Sequence, residues 1–428
     1  MSNRDVQPLK FSCKKCESRI GIWVVNKDGM GLDNKITAAM MAGKTNIANL
    51  YKNNGLSYKI NGAVEIPLEG MFDPALDFVD LHLDFPVVFG KYVMGNTPYM
   101  QAVGRSGGEK ATFHRDRLET INRQYSKYPQ VVELISKYTK GLVNPFIAYA
   151  DKHFKVNVKS KKQEDINAAL YTVVSRYTGP FLLAGDTQSL VDKYTKTIID
   201  LVTTKKTAMA EFMQELFDTK FLANLQRDCL RIYKPIFNAE LPLRPALFLD
   251  VDSTYGTGKV AMRVSSQDFE EYREVYKDMA EVLSRQLVLL AGMGNLIERG
   301  DHNAFFVRTS QSGKQLSPSS LNQYADVALG NKLQDLDSTW HTIDKISHDN
   351  ELRNAIAHNK IDYNDITQCI TYYPKIEGME REKKREIYLL DYMHRLLALF
   401  RDVHRLHHLV KCLNYAMLIE PSASLVKR

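Results

Sequence analysis

The chain has 428 residues, with 57 Lys and Arg against 50 Asp and Glu, a net charge of +7. Hydrophobic residues make up 44% and charged residues 25%, globular proportions that exclude a disordered, collagen-like or low-complexity chain. At about 150 residues per domain the length predicts two or three domains, and the modest basic surplus permits nucleic-acid contact without requiring it.

Five cysteines, Cys13, Cys16, Cys229, Cys369 and Cys412, do not form a disulfide framework, which places the chain in a reducing cytoplasm. Met1-Ser-Asn-Arg-Asp-Val-Gln-Pro has no apolar signal core, and no run of about 18 apolar residues occurs, so neither secretion nor a membrane span is expected.

The expected fold is mainly α, with a small N-terminal β-containing module and a C-terminal helical bundle. Residues 1–75 read as the β-rich module. Phe11-Ser-Cys and Ile20-Gly-Ile-Trp-Val-Val are strand-like, and Asn53-Asn54-Gly55 and Asn61-Gly62 are turn signals around further strand-like runs, Leu56–Ile60 and Ala63–Ile66. Cys13-Lys-Lys-Cys16 has the spacing of half a zinc knuckle. Two thiolates so placed suit one tetrahedral ion, so Cys13 and Cys16 are the candidate ligands of a structural zinc, its other ligands coming from afar.

Residues 76–264 read as mostly helical, a candidate sensor or regulatory domain. Helical spacing begins near Arg115 and recurs over 163–177 and 189–233. Ala246–Val251 reads as one short strand. The following Asp250-Val-Asp252 matches a phosphatase nucleophile pattern, but the expected downstream context is helical and the bland reading is a strand ending in a polar turn.

Residues 265–428 read as the bundle. Phe269, Tyr272, Val275, Met279, Val282 and Leu290 mark one long helix, and Leu389, Met393, Leu396, Leu397, Phe400, Val403, Leu406 and Val410 a last one. Between them the pattern predicts helix from about 320 to 348, a further helical segment after Asp349, and a strand-like run over 366–373. His404, His407 and His408 lie on the last helix. With no metalloprotease carboxylate among them, a solvated or packed surface is expected rather than a metal site.

One segment concentrates chemistry: Asp349-Asn-Glu-Leu-Arg353-Asn354-Ala-Ile-Ala-His358-Asn-Lys360. Five residues of α-helix rotate through about 500°, roughly 140° net, so Arg353 and His358 converge only where the helix end is open. A polar set on a helix with apolar Ala355 and Ile356 is unfavourable to bury without a partner or ligand.

This string resembles the signature of the HEPN family, Arg and His separated by four to six residues with a polar residue following the Arg. The resemblance spans about residues 265–418. It implies a metal-independent endoribonuclease of the toxin or antiviral-defence type, acting as a homodimer so that two motifs form one cleft. It implies no catalytic cofactor. RNA carries its own nucleophile, the 2′-hydroxyl. A histidine with a pKa of about 6.5 serves as base or acid near neutrality, and an arginine fork stabilises the phosphorane. The expected catalytic residues are therefore Arg353, Asn354 and His358. Lys345, His348 and Lys360 are candidates for gripping the RNA backbone. A trigger or inhibitor would act on the N-terminal region. Two other readings stay open: a non-catalytic HEPN dimerisation or ligand-binding module, and a nucleic-acid-binding regulator built on the Cys13–Cys16 module.

Overall fold

The computed structural model describes residues 6–12, 16, 18–25, 77–80, 84–86, 88–91, 104–183, 185–252, 264, 269–313, 315–374 and 384–419. The turn signals and strand-like runs read between residues 53 and 66 lie outside them, as does Cys13.

The described N-terminal part is β-structure. β1 (Val6–Ser12) and β2 (Arg19–Val25) pair antiparallel with Ser12 opposite Arg19. Cys16 therefore falls in the connection of a hairpin. β3 (Asp77–Asp80) and β4 (Val88–Lys91) form a second antiparallel pair.

Among the described residues nine α-helices follow: α1 (Gly108–Gln124), α2 (Tyr128–Thr139), α3 (Val143–Phe154), α4 (Gln163–Thr178), α5 (Asp186–Thr204), α6 (Lys206–Asp218), α7 (Phe221–Arg231), α8 (Tyr233–Asn238) and α9 (Glu240–Phe248). The expected strand at 246–251 is instead the end of α9 and its turn. A short buried apolar run looks alike in a strand and in a buried helix, and here Leu243, Ala246, Leu247 and Phe248 are all buried on helical spacing. Pro242 is tolerated because it occupies the first turn, where its missing N–H has no intrahelical acceptor.

The C-terminal part begins with α10 (Phe269–Arg299) and ends with α14 (Leu389–Ile419), 31 residues each. Tyr392 Oη donates to Tyr272 O at 2.9 Å and Gln286 Nε2 to Val403 O at 2.8 Å. Both contacts keep the chain order, so the two helices run in the same direction. The segment between must carry the chain back, and it does so mostly without helix. Only α11 (Leu321–Ala325) and α12 (Leu329–Lys332) form where one helix was expected to about residue 348. Tertiary ties replace the helical ladder there. Lys332 Nζ donates to Ser284 O, Ser284 Oγ and Ala325 O at 3.1, 3.0 and 2.8 Å, and Arg308 pairs with Asp335. α13 (Asn350–Ala357) then leads into an antiparallel sheet, β5 (Ile361–Asn364), β6 (Cys369–Tyr372) and β7 (Arg385–Tyr388), in the order β5-β6-β7.

The protein is thus mainly helical with small antiparallel sheets. One buried apolar cluster runs from Leu118 to Leu413. α14 is its axis, packed by α10 and also by α5, α7 and α9 of the preceding region. Gly292 in α10 shows how tight this join is. A Cβ there would stand 2.6 Å from the ring of Phe212 in α6, a distance that forces the ring to move.

Candidate active site

α13 carries the Arg353–His358 motif, and its two ends are defined by local chemistry. At the start, Asp349 Oδ1 accepts the Leu352 N–H at 2.9 Å, an N-cap. The other oxygen, Oδ2, accepts from Arg395 of α14 at 2.9 Å and from Tyr372 of β6 at 3.4 Å. One carboxylate therefore caps the helix and ties it to two neighbours. Asp349→Ala is expected to destabilise the protein by about 1–2 kcal/mol, the loss of a cap plus a partly exposed ion pair. Denaturant titration checks this, and faster amide exchange confined to α13 would locate the effect.

At the other end, Lys360 N donates to Ala355 O at 2.8 Å and Asn359 N to Ile356 O at 3.2 Å, while Asn359 has φ +53°. This is a Schellman stop with Asn in the left-handed position. His358 is the C-cap, so the helix ends as the motif ends.

Leu352, Ala355 and Ile356 are buried, which seats α13 against α10. Arg353 is half-buried. Its Nη2 donates to Glu281 of α10, its Nη1 donates to Asn354 Oδ1 at 3.3 Å, and its Nε has no hydrogen-bond partner. His358 is exposed, and its ring makes no hydrogen bond within the described residues. Arg353 and its sequence neighbour Asn354 are thus joined by one hydrogen bond. Glu281, 72 residues away in sequence, is the neighbour sequence reasoning missed, and no local pattern signals it.

The candidate RNA-gripping residues divide between the two ends of α13, an eight-residue helix about 12 Å long. Lys345 is exposed and His348 half-buried on the N-terminal side. His348 Nδ1 lies 2.9 Å from Asp344 O. A carbonyl only accepts, so Nδ1 carries a proton there. Lys360 lies on the C-terminal side with His358.

Cys16 is exposed. Among the described residues no group of three or more His, Cys, Asp or Glu is placed to hold a metal ion.

Two other clusters from the sequence become structural. Asp250 sits in a buried ionic knot. Arg401 donates to both its oxygens at 2.8 and 2.6 Å, and Arg117 Nη1 to Oδ2 at 2.7 Å. Burial alone would raise this carboxyl pKa, but the guanidiniums of Arg401 and Arg117 outweigh it and hold the group below the usual range. Three guanidinium hydrogen bonds thus hold this carboxylate as the centre of an ionic knot. His404, His407 and His408 are all packed inside, none solvated. Tyr233 Oη lies 3.1 Å from His404 Nδ1 and 2.8 Å from His407 Nδ1, and His404 Nε2 lies 3.2 Å from His408 Nε2. Two sets of neutral tautomers satisfy all three contacts: His407 donates to Tyr233, Tyr233 to His404 and His404 to His408, or every bond is reversed. Burial pushes all three histidines far down in pKa.

The chain matches no protein-family model, no characterised protein and no solved structure.

Proposed function

We propose that the chain is a metal-independent endoribonuclease of the toxin or antiviral-defence kind, with Arg353 and His358 as its chemical groups. The observation that carries this reading is the combination of a half-buried Arg353, held between Glu281 and Asn354, with an exposed His358 ring free of hydrogen bonds at the stop of the same helix. The HEPN-like string supplies the reaction class.

In this reading the 2′-hydroxyl loses its proton to a base and attacks the adjacent phosphorus. The P–O5′ bond breaks as an acid protonates the leaving 5′-oxygen. The products are a 2′,3′-cyclic phosphate and a 5′-hydroxyl, with no water consumed. His358 performs one proton transfer and Arg353 stabilises the phosphorane. One chain supplies one such histidine, so a homodimer places a second His358 across a shared cleft. RNA and a second copy are therefore the proposed partners, and a trigger acting on the N-terminal region would release the activity.

Incubation of cellular RNA with the full chain in EDTA tests this. Wild type is expected to leave 2′,3′-cyclic phosphate ends. His358→Ala is expected to slow cleavage by about 10²–10⁴-fold, the usual range for a lost acid or base. Cleavage by His358→Ala at the wild-type rate would sink the assignment.

A second reading, a non-catalytic dimerisation or ligand-binding module, is favoured by one contact. Glu281 neutralises Arg353 within the chain itself. Glu281→Gln separates the two. A ribonuclease whose Arg353 is freed for phosphate binds RNA more tightly, and a purely structural pair only loses stability.

A further inference from the structure

A cavity of about 800 Å³ opens between the end of α2, α4, the α6–α7 turn, α7 and the last turns of α14. The volume lies within the range of small-molecule sites, about 300–1,000 Å³. Its floor is polar. Tyr138 Oη donates to Asn167 Oδ1 at 2.7 Å and accepts from Gln226 Nε2 at 2.8 Å, while Gln226 Nε2 also donates to Tyr171 Oη at 2.6 Å. Gln163 Nε2 donates to the same Asn167 oxygen at 2.8 Å.

These bonds use one side of each amide. Asn167, only 2% exposed, keeps its Nδ2 donor free of any hydrogen bond within the described residues, and Gln226, 8% exposed, keeps its Oε1 acceptor so. Neither atom is among the fully buried polar atoms left without a partner, so both stay open to solvent. Both residues line the cavity.

The rim has a different character. Lys140, Lys220 and Arg227 are exposed around it, against one carboxylate, Asp218, which already accepts from Gln214 Nε2 at 2.7 Å. The first turn of α7 forms part of the same wall and adds the positive end of its dipole. Phe217, 45% exposed, also lines the rim.

We propose that this cavity binds a 5′-phosphorylated nucleoside, its base edge paired with the Asn167 donor and Gln226 acceptor, its phosphate among Lys140, Lys220 and Arg227. Phe217 offers a ring face to the base. An inorganic anion would leave the Asn167 donor and the Gln226 acceptor to water, and an uncharged nucleoside would leave the rim unused. The ligand is a free nucleotide or the 5′-terminal nucleotide of an RNA, and the two share this chemistry. The proposal stands apart from the cleavage reading.

Titration calorimetry of the full chain with each of the four nucleoside 5′-monophosphates, with adenosine, with inorganic phosphate and with 5′-phosphorylated 2′-O-methyl oligonucleotides tests it. The 2′-O-methyl group removes the cleavage nucleophile, so ribonuclease activity does not enter. At least one phosphorylated probe is expected to bind in the micromolar range, with inorganic phosphate and adenosine at least about tenfold weaker. Saturation by a mononucleotide assigns a free ligand, and binding of the oligonucleotides alone assigns an RNA end. The surface variant Lys220→Glu/Arg227→Glu, with unchanged thermal unfolding, is expected to weaken binding by at least about tenfold, and Phe217→Ala by about 5- to 100-fold, the range of base stacking. Absence of binding by every phosphorylated probe overturns the proposal. So does phosphate binding as tightly as nucleotide, or unchanged affinity in the rim variant.

Discussion

Asp250→Ala is expected to destabilise the protein by about 3–5 kcal/mol, the range for stripping one partner from a buried ion pair. The carboxylate lies just beyond α9 and receives Arg117 from α1 and Arg401 from α14. All three side chains are 3–7% exposed. Removing the carboxylate leaves two guanidiniums close together with no counter-charge and little water. Arg117 retains only the Leu247 carbonyl at 3.2 Å, and Arg401 the Phe181 carbonyl at 2.9 Å. Asp250→Asn keeps an acceptor of the same shape and is expected to lose less. Urea titration of the three proteins gives the order. Equal stability of Asp250→Ala and wild type would show that the knot carries no net energy. The same experiment separates structure from chemistry, since a phosphatase nucleophile would lose activity without losing stability.

Acidification below about pH 6 is expected to unfold the protein steeply. His404, His407 and His408 are neutral in the interior because burial, reinforced by the nearby Lys411 charge, pushes their pKa values far down. Burial likewise pushes His114 and His341 to about 4. In the unfolded chain each titrates near 6.5, so below that pH the unfolded state binds more protons and gains stability relative to the fold. Each such histidine removes about 1.4 kcal/mol per pH unit. Five together exhaust a typical total stability of about 5–15 kcal/mol within one to three pH units. The Asp250 knot is spared in this window, because a carboxyl held low in the fold contributes until the pH falls through its own folded value.

Lys411 works in a different window. Its Nζ has no hydrogen-bond partner among the described residues and stands 4.2 Å from the centre of the Tyr171 ring. Burial pushes its pKa down to about 7, against about 10.4 unfolded. The fold is therefore penalised progressively as pH falls from 10 to 7, and by a constant amount below. Lys411→Met is expected to stabilise the protein by on the order of 2–4 kcal/mol at pH 7. The gain should vanish toward pH 10. Denaturation curves at pH 5, 7 and 9.5 check both effects. A gain independent of pH would mean that the methionine only packs better.

The legible parts of the sequence were those where local rules suffice. The two 31-residue helices follow from apolar spacing sustained over eight turns. A helical segment after Asp349 was expected, and the structure sets its bounds, with Asp349 as N-cap and Asn359 as the left-handed stop. The strand-like runs at Phe11-Ser12 and Ile20–Val25 became parts of the paired strands β1 and β2. Three things were decided only by the tertiary structure. Ala246–Phe248 became the end of α9, with 249–251 its turn, because a short apolar run serves either element, and burial against α14 selected one. Residues 320–348 lost their expected helix to long-range ties, Lys332 to Ser284 and Arg308 to Asp335, which reward an irregular path. The surroundings of the polar groups were invisible for the same reason. Glu281 reaches Arg353, Arg117 and Arg401 reach Asp250, and Tyr233 reaches His404 and His407 across separations of 72 to 174 residues. Spacing along a chain fixes which face a side chain takes on its own helix, but the partner on the facing helix, and so the burial and charge of the site, depends on how the helices pack.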